Sequence, residues 1–507
     1  MGRTKILIKN AVWELGYYLI VIALGFLAPR YIILIYGSEV NGLSTTITQI
    51  LNVILILQAG ATTAAIFSLY KPIAENDATE ISKNVYSAVT FFKRISFIFL
   101  GAMLIMAVLT ALFSRTELHK AGIFIAFVAM GLKSFLDLFF TSKFRIVFTA
   151  FQEKFIISIA TLLEQVVYYA LVFLTLYFRL HYVFMYIWFF AGCIVKVLFL
   201  EYKYLKKYSK IIPKSTGAYT GSIKGRGYAL ANEVAHSVVT SSIAILLSFM
   251  YGFQATSVYS VYSLVAQALA LVSTSLYSSF APGFGNLVAS ENDDNTNRVF
   301  CIFQYLYVML NSIMMFNMVM LIVPFAKIYT SGATDIDYEN FTLACIMGIS
   351  GICSAYRIPY NIVVSSCGFF KETWKQPVIC IFISLSISVI GGAFNYSLIL
   401  LGPAVFYLIN FLYQHFRIKK LSSHLISHHV FTMFGISIFG YILSVIICTI
   451  GPFPSNLLLW LLMGMITVVL STAFIILLSR ILLPEETKMS FVFLKTHFIR
   501  SIPVIHK

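Results

Sequence analysis

The chain has 507 residues, of which 59% are hydrophobic and 11% charged, and its mean hydropathy is +0.88. An ordinary soluble domain is about 45–50% apolar and about 25% charged, so a water-soluble globular protein is excluded. Fourteen spans of roughly 20 residues would use about 280 residues and leave only short connections, which excludes a large soluble catalytic domain. The formal charge of +16 points first to cytoplasmic loops rich in Lys and Arg, and only secondarily to nucleic acid.

The hydropathy pattern predicts fourteen spans, over 11–35, 43–69, 87–113, 121–142, 156–178, 182–202, 229–251, 257–279, 299–324, 340–366, 376–393, 396–416, 431–451 and 455–483. The stretch beginning at Ala11 is too long for a cleavable signal peptide and reads as the first span. With the N-terminus inside, 28 of the 36 Lys and Arg fall in or beside the inside segments and 5 in or beside the outside loops. That bias places both termini in the cytoplasm. The other three, Lys133, Lys196 and Arg357, lie within spans.

An internal repeat divides the chain. Tyr36-Gly37 ends the first span and Tyr251-Gly252 the seventh, while Glu75-Asn76-Asp77 follows the second and Glu291-Asn292-Asp293 the eighth. Two matches at nearly one offset imply two six-helix lobes, 1–215 and 216–425, with two extra helices and a tail in 426–507. An even number of spans per lobe makes the repeats parallel. The basic stretch from Lys203 to Arg226 reads as a linker between the lobes, able also to touch anionic lipid heads.

Polar residues in hydrocarbon must face one another or a water-filled space. Several recur at helical spacing: Asn10, Trp13, Glu14 and Tyr17; Thr45, Thr48, Gln49 and Asn52; Lys133, Asp137 and Thr141; Thr161, Glu164, Gln165 and Tyr168; Glu233, His236, Ser237 and Thr240; and Ser354, Arg357, Asn361 and Ser365. For Ser and Thr the plainer role is bonding between helices. Arg357, Glu14, Glu164 and Glu233 are expected in a cavity or in pairs. Lys133 and Asp137, one turn apart, can neutralise each other. Lys196, near a span end, is expected to snorkel to the cytoplasmic surface. Arg30, beside Pro29, either snorkels outward or caps a cavity. A planar guanidinium suits a pyrophosphate head group, and nearby carboxylates can bind Na⁺ or H⁺ as a coupling ion.

Other chemistries lack their motifs. There is no P-loop, no H-E-x-x-H and no G-x-S-x-G. Cys193, Cys301, Cys345, Cys353, Cys367, Cys380 and Cys448 lie in apolar stretches with no C-x-x-C pair and read as small core fillers. His424, His428 and His429 read as a solvated loop, so no metal site and no cofactor are expected. Asp335, Asp337 and Glu339 sit in the longest outer loop, which reads as solvated too.

The stretch from Tyr36 to Tyr86 resembles the polysaccharide-repeat-unit flippases (Wzx-type O-antigen and capsule transporters) of the multidrug/oligosaccharidyl-lipid/polysaccharide (MOP) exporter superfamily. The residues that carry the resemblance are Gly42-Leu43, Gly60, Leu69-Tyr70-Lys71-Pro72 and Ala74-Glu75-Asn76-Asp77. Tyr356-Arg357-Ile358-Pro359-Tyr360 and Gly368-Phe369-Phe370-Lys371-Glu372-Thr373 agree with it. The resemblance implies an all-α integral membrane protein of about fourteen helices, with two six-helix lobes in a V plus two C-terminal helices. It implies alternating access and export of undecaprenyl-pyrophosphate-linked oligosaccharide across a bacterial inner membrane, alongside a glycan polymerase machinery, without enzymatic activity. It also implies a cationic cavity, onto which Arg30 and Arg357 map. Lys133 and Lys196 join them as expected substrate-binding cations. Glu14, Asn52, Asp137, Glu164, Glu233 and Asn361 are the expected polar or coupling residues. Relatives often carry an acidic residue where this chain has Gln58-Ala59-Gly60, which shifts any coupling role toward Glu14 or Glu233. The alternatives are a cation-coupled multidrug exporter of the same superfamily and a membrane enzyme of glycan assembly.

Overall fold

The computed structural model describes residues 3–58, 61–209, 212, 227–289, 293–422, 429–450 and 456–501. The described residues form helices and no strand. The first eight are α1 (Arg3–Tyr36), α2 (Ser38–Leu55), α3 (Ala61–Glu75), α4 (Ala78–Phe113), α5 (Lys120–Leu136), α6 (Ser142–Ala150), α7 (Lys154–Tyr177) and α8 (Val183–Lys207). They continue as α9 (Gly227–Tyr251), α10 (Phe253–Ala289), α11 (Asp293–Tyr329), α12 (Phe341–Cys367), α13 (Phe370–Thr373), α14 (Lys375–Phe394), α15 (Leu401–Leu421), α16 (Val430–Ile450), α17 (Leu457–Leu482) and α18 (Pro484–Ser501). Among the described residues, 13 helical stretches are long and apolar enough to cross a membrane. The protein is a multi-pass membrane protein. The expected second span, 43–69, is not a single helix: α2 tightens into a 3₁₀ turn at Ile56–Gln58, and α3 starts afresh at Ala61. Ala59 and Gly60 lie outside the described residues, as do Glu291, Asn292, His424, His428 and nearly all of 210–226.

The chain forms two compact units. The first comprises Met1–Leu230, Leu247–Ser260 and Gly332–Ile336, and the second Ala231–Leu246, Val261–Ser331 and Asp337–Lys507. Three short described segments that the repeat-based division places in the second lobe, 227–230, 247–260 and 332–336, belong to the first unit.

In the first unit α7 packs on α8 and α1, and α5 on α4 and α8. Helix ends explain the Tyr-Gly motif in both copies and Asn76-Asp77 in the first. Asn76 takes the left-handed conformation at φ 54°, and the Asp77 carboxylate accepts from the N–H groups of Thr79 and Glu80 at 2.9 and 3.0 Å, capping α4. Gly37 and Gly252 both adopt positive φ, 85° and 89°, each between two helices. A side chain there would be strained, so the shared Tyr-Gly is a hinge between two spans. Just beyond, Ser38 donates from N–H and Oγ to Asp335 at 2.6 and 2.9 Å. Asn41 donates to Ser257, 216 positions later, at 2.8 Å, and to Ser260 at 2.7 Å. Gly42 lies so close to Phe253 that a Cβ would sit 1.8 Å from its carbonyl oxygen.

In the second unit α12 packs on α11 and α15, α14 on α15, and α16 and α17 on α11. Asn340 caps α12 and Asn456 caps α17, each accepting from an N–H three residues on. The added helices are joined by polar contacts. Ser437 of α16 bonds to Ser312 at 2.7 Å and Tyr356 at 2.8 Å. On α17, Ser471 accepts from Asn317 at 2.9 Å, and Trp460 donates to the Leu321 carbonyl at 2.9 Å. Much of α17 is outward-facing and apolar, with Leu458, Val469 and Leu470 well exposed. The seven cysteines are free thiols, none exposed.

Gly42 gives a direct test of this packing. Gly42→Ala places a methyl against backbone that cannot yield, at an expected cost of about 1–3 kcal/mol. Thermal unfolding of the detergent-purified protein should fall for Gly42→Ala and stay unchanged for Gly101→Ala, whose added methyl meets nothing within 4 Å.

Candidate functional site

Four charges from three helices and a turn meet inside the first unit. Lys133 comes from α5, Glu164 from α7 and Lys196 from α8, while Asp137 opens a π-helical turn, Asp137–Thr141, that joins α5 to α6. Lys133 Nζ lies 3.0 Å from Asp137 and 3.1 Å from Glu164. Lys196 Nζ lies 2.8 Å from each of the same carboxylates. Glu164 and Lys196 are buried, Lys133 and Asp137 nearly so. Close approach of α7 and α8 makes the meeting possible: a Cβ at Gly192, one turn before Lys196, would lie 2.7 Å from the Glu164 carbonyl. Two ammonium and two carboxylate groups sum to zero, and each charge has two opposite neighbours. Such an arrangement offsets the large cost of withdrawing ions from water. Lys196 therefore ends on two carboxylates inside the bundle and does not reach for an interface.

Other polar positions in this unit have separate partners. Glu14 of α1 accepts from Lys154 at 2.6 Å. Asn10, one turn earlier, donates to the Gln152 carbonyl and accepts from the Phe155 N–H, both at 2.8 Å. Arg30 is half-buried just after Pro29. Asn52 is exposed on α2. Most stripe hydroxyls bond to their own helix: Thr45, Thr48, Thr161 and Thr240 each donate to the carbonyl four residues back.

A cavity of about 220 Å³ adjoins the quartet, lined by Leu55, Gln58, Thr62, Phe92, Lys133, Ser134, Asp137, Leu138, Ser142 and Arg145. Of the sequence stripe, Lys133 and Asp137 line it and Thr141 does not, while the next position at the same spacing of four, Arg145, does.

The second unit holds Arg357. It is 3% exposed, its guanidinium lies over the Tyr407 ring at 5.4 Å, and its Nε has no hydrogen-bond partner. No carboxylate stands at ion-pair distance from it among the described residues. Tyr407 also bonds through its hydroxyl to His236 Nδ1 at 3.0 Å. Asn361, one turn after Arg357, accepts from Gln414 at 2.9 Å. Glu233, on α9, is exposed. The sequence reading missed Tyr407, because an aromatic in an apolar helix carries no signal of what it faces.

No family model matches the sequence, and no curated protein matches it. Solved structures do. A multidrug resistance MATE family transporter of the MOP superfamily, inward-facing, matches with TM-score 0.66 and 12% identity over 82% of this chain and 99% of that one. The lipid II flippase MurJ in its inward closed conformation matches with TM-score 0.63 and 14% identity over 96% of this chain and 100% of that one. A MOP superfamily transporter from Pyrococcus furiosus, described as having a binding pocket of reversed polarity, matches with TM-score 0.54 and 12% identity over 82% and 96%. The chain has the fold of MOP-superfamily transporters.

The quartet makes a sharp prediction about stability. Lys196→Met or Glu164→Leu alone strands an opposite charge and is expected to cost about 3–5 kcal/mol. The double variant keeps the Lys133–Asp137 pair and should regain most of that loss, as measured by thermal unfolding in detergent.

Proposed function

We propose that the protein is a flippase for an oligosaccharide carried on undecaprenyl pyrophosphate, moving it from the cytoplasmic to the outer leaflet of a bacterial inner membrane by alternating access. Arg357 carries the proposal. It is a permanent cation, buried in a long apolar helix, with no carboxylate at ion-pair distance among the described residues; Glu233 attracts it only from farther off. A guanidinium in that setting is a ready partner for a pyrophosphate, which it can grip with two parallel N–H···O bonds. Tyr407 holds the guanidinium plane from one side. Arg30, Lys133 and Lys196 complete the proposed cationic set. In the quartet the two lysines serve by fixing the carboxylates rather than as free charges.

The extent of the likeness to MurJ supports a lipid-linked substrate. It runs over 96% of the chain, whereas the MATE transporter covers 82%. The lipid-facing surface of α17 suits a prenyl tail that stays in the bilayer. Cytoplasmic termini follow from the Lys and Arg bias. Coupling to Na⁺ or H⁺ falls to Glu233, which has no cation at ion-pair distance among the described residues, rather than to Asp137 or Glu164, which already hold lysines, or to Glu14, which holds Lys154. Asn52 and Asn361 supply neutral hydrogen bonds to sugar. Delivery to a glycan polymerase on the outer face would follow, with no bond made or broken by this chain. The MATE likeness favours one second reading, a cation-coupled multidrug exporter.

The experiment is transport in liposomes of a defined prenyl-pyrophosphate sugar, with and without ion gradients. Arg357→Gln is expected to lower the initial rate about tenfold or more, with Arg357→Lys between it and the wild type, since a point charge replaces the fork. Unaltered transport in Arg357→Gln overturns the proposal. Absence of sugar-lipid transport, together with drug efflux from the same vesicles, selects the exporter.

A further inference from the structure

We propose that the cavity beside the charge quartet is a second anion site, built for a phosphate or pyrophosphate group and centred on Arg145. Arg145 lies on α6, just past the π turn. Among the described residues no ion pair or hydrogen bond reaches its guanidinium, and none reaches the side chains of Gln58 and Thr62. Ser142, on the same wall, is 6% exposed, and its buried Oγ has no hydrogen-bond partner. Arg145, Gln58, Thr62 and Ser142 thus line one space with Lys133 at its edge, while Ser134, also on its wall, bonds back to its own helix.

Charge decides what that space takes. The quartet is neutral as a whole, and both Asp137 oxygens are engaged, one with Lys196 at 2.8 Å and the other with Lys133 at 3.0 Å. Asp137 is therefore no free acid for Arg145, and the cavity carries one uncompensated positive charge. Buried Phe92 and Leu138 line it with apolar surface that strengthens any ionic contact. The volume, about 220 Å³, falls below the roughly 300–1,000 Å³ usual for drug-sized ligands. It fits a phosphate group and not an oligosaccharide.

The π turn is what assembles the site. Its extra residue rotates α6 relative to α5, so Ser142 rather than Thr141 joins Lys133, Asp137 and Arg145 along the wall. Thr141 instead bonds back to the Asp137 carbonyl at 2.6 Å. Single π turns commonly mark functional positions. That the phosphate belongs to the transported head group rests on the flippase reading, whereas the site itself does not.

The test is binding of inorganic pyrophosphate to the full-length protein in nanodiscs of zwitterionic lipid, by calorimetry, in an Arg357→Gln background that removes the other proposed anion contact. Saturable binding is expected there, weakened at least tenfold by added Arg145→Gln and partly restored by Arg145→Lys. Ser142→Ala, a smaller change that keeps the fold if Arg145→Gln does not, is expected to weaken binding severalfold. No saturable binding, or binding unchanged by both Arg145→Gln and Ser142→Ala, overturns the proposal. Competition by undecaprenyl pyrophosphate identifies the lipid head group as the source. Binding of inorganic pyrophosphate that the lipid cannot displace still supports the site, assigns it to free phosphate, and leaves the flippase reading to its own assay.

Discussion

Hydrocarbon offers no hydrogen bond, so each charge carried into it must be met by another part of the chain or by something the chain binds. This constraint sorts the ionised groups within the spans into two kinds. Lys133, Asp137, Glu164 and Lys196 satisfy one another in a closed set, each touching two opposites. Arg357 and Arg145 have no such partner among the described residues. The first kind holds a bundle together. The second is costly unless a ligand repays it, and under both proposals it is where an anion would bind.

The sequence disclosed the class of fold and most of the groups, but not their partners. Hydropathy found the spans because length and apolarity are local properties, and the Tyr-Gly repeat is legible because both of its glycines take a positive φ between helices. The broken second span escaped, since a 3₁₀ turn at Ile56–Gln58 leaves the run of apolar residues uninterrupted. Lys196 shows the other limit. One helix cannot report what stands across from it, and near a span end an interface is the usual destination for a lysine. Only the small residue at Gly192, which lets α7 and α8 close up, hinted at a tight crossing. Arg145 was within reach, had the four-residue stripe been followed one step beyond Thr141.

Small and polar residues share the work of building one end of the first unit. Gly37 and Gly252 redirect the chain, Gly42 admits the Phe253 backbone, and Asn41 bonds to Ser257, one residue past its counterpart Thr256 in the repeat. The starts of α2 and α10, equivalent in the repeat, pack side by side, and Asn41 donates across the contact to Ser257 and Ser260. Asp335 closes the arrangement by accepting both donors of Ser38.

Arg357 and Arg145, neither with an ion pair among the described residues, differ in a way that bears on the proposed transport. Arg357 is braced by an aromatic ring and sits among polar groups that already have partners, as Tyr407–His236 and Asn361–Gln414 do. It is a fixed cation in a finished setting. Arg145 stands over a space lined by Gln58, Thr62 and Ser142, whose side chains have no hydrogen bond among the described residues, so a ligand there would gain hydrogen bonds as well as a charge. A carrier that must release what it binds is served by sites of unequal depth, since uniformly tight binding would only slow departure. With Arg357 in the second compact unit and Arg145 in the first, each unit would then offer its own cation to the same kind of anionic group, and neither would need to hold it to the exclusion of the other.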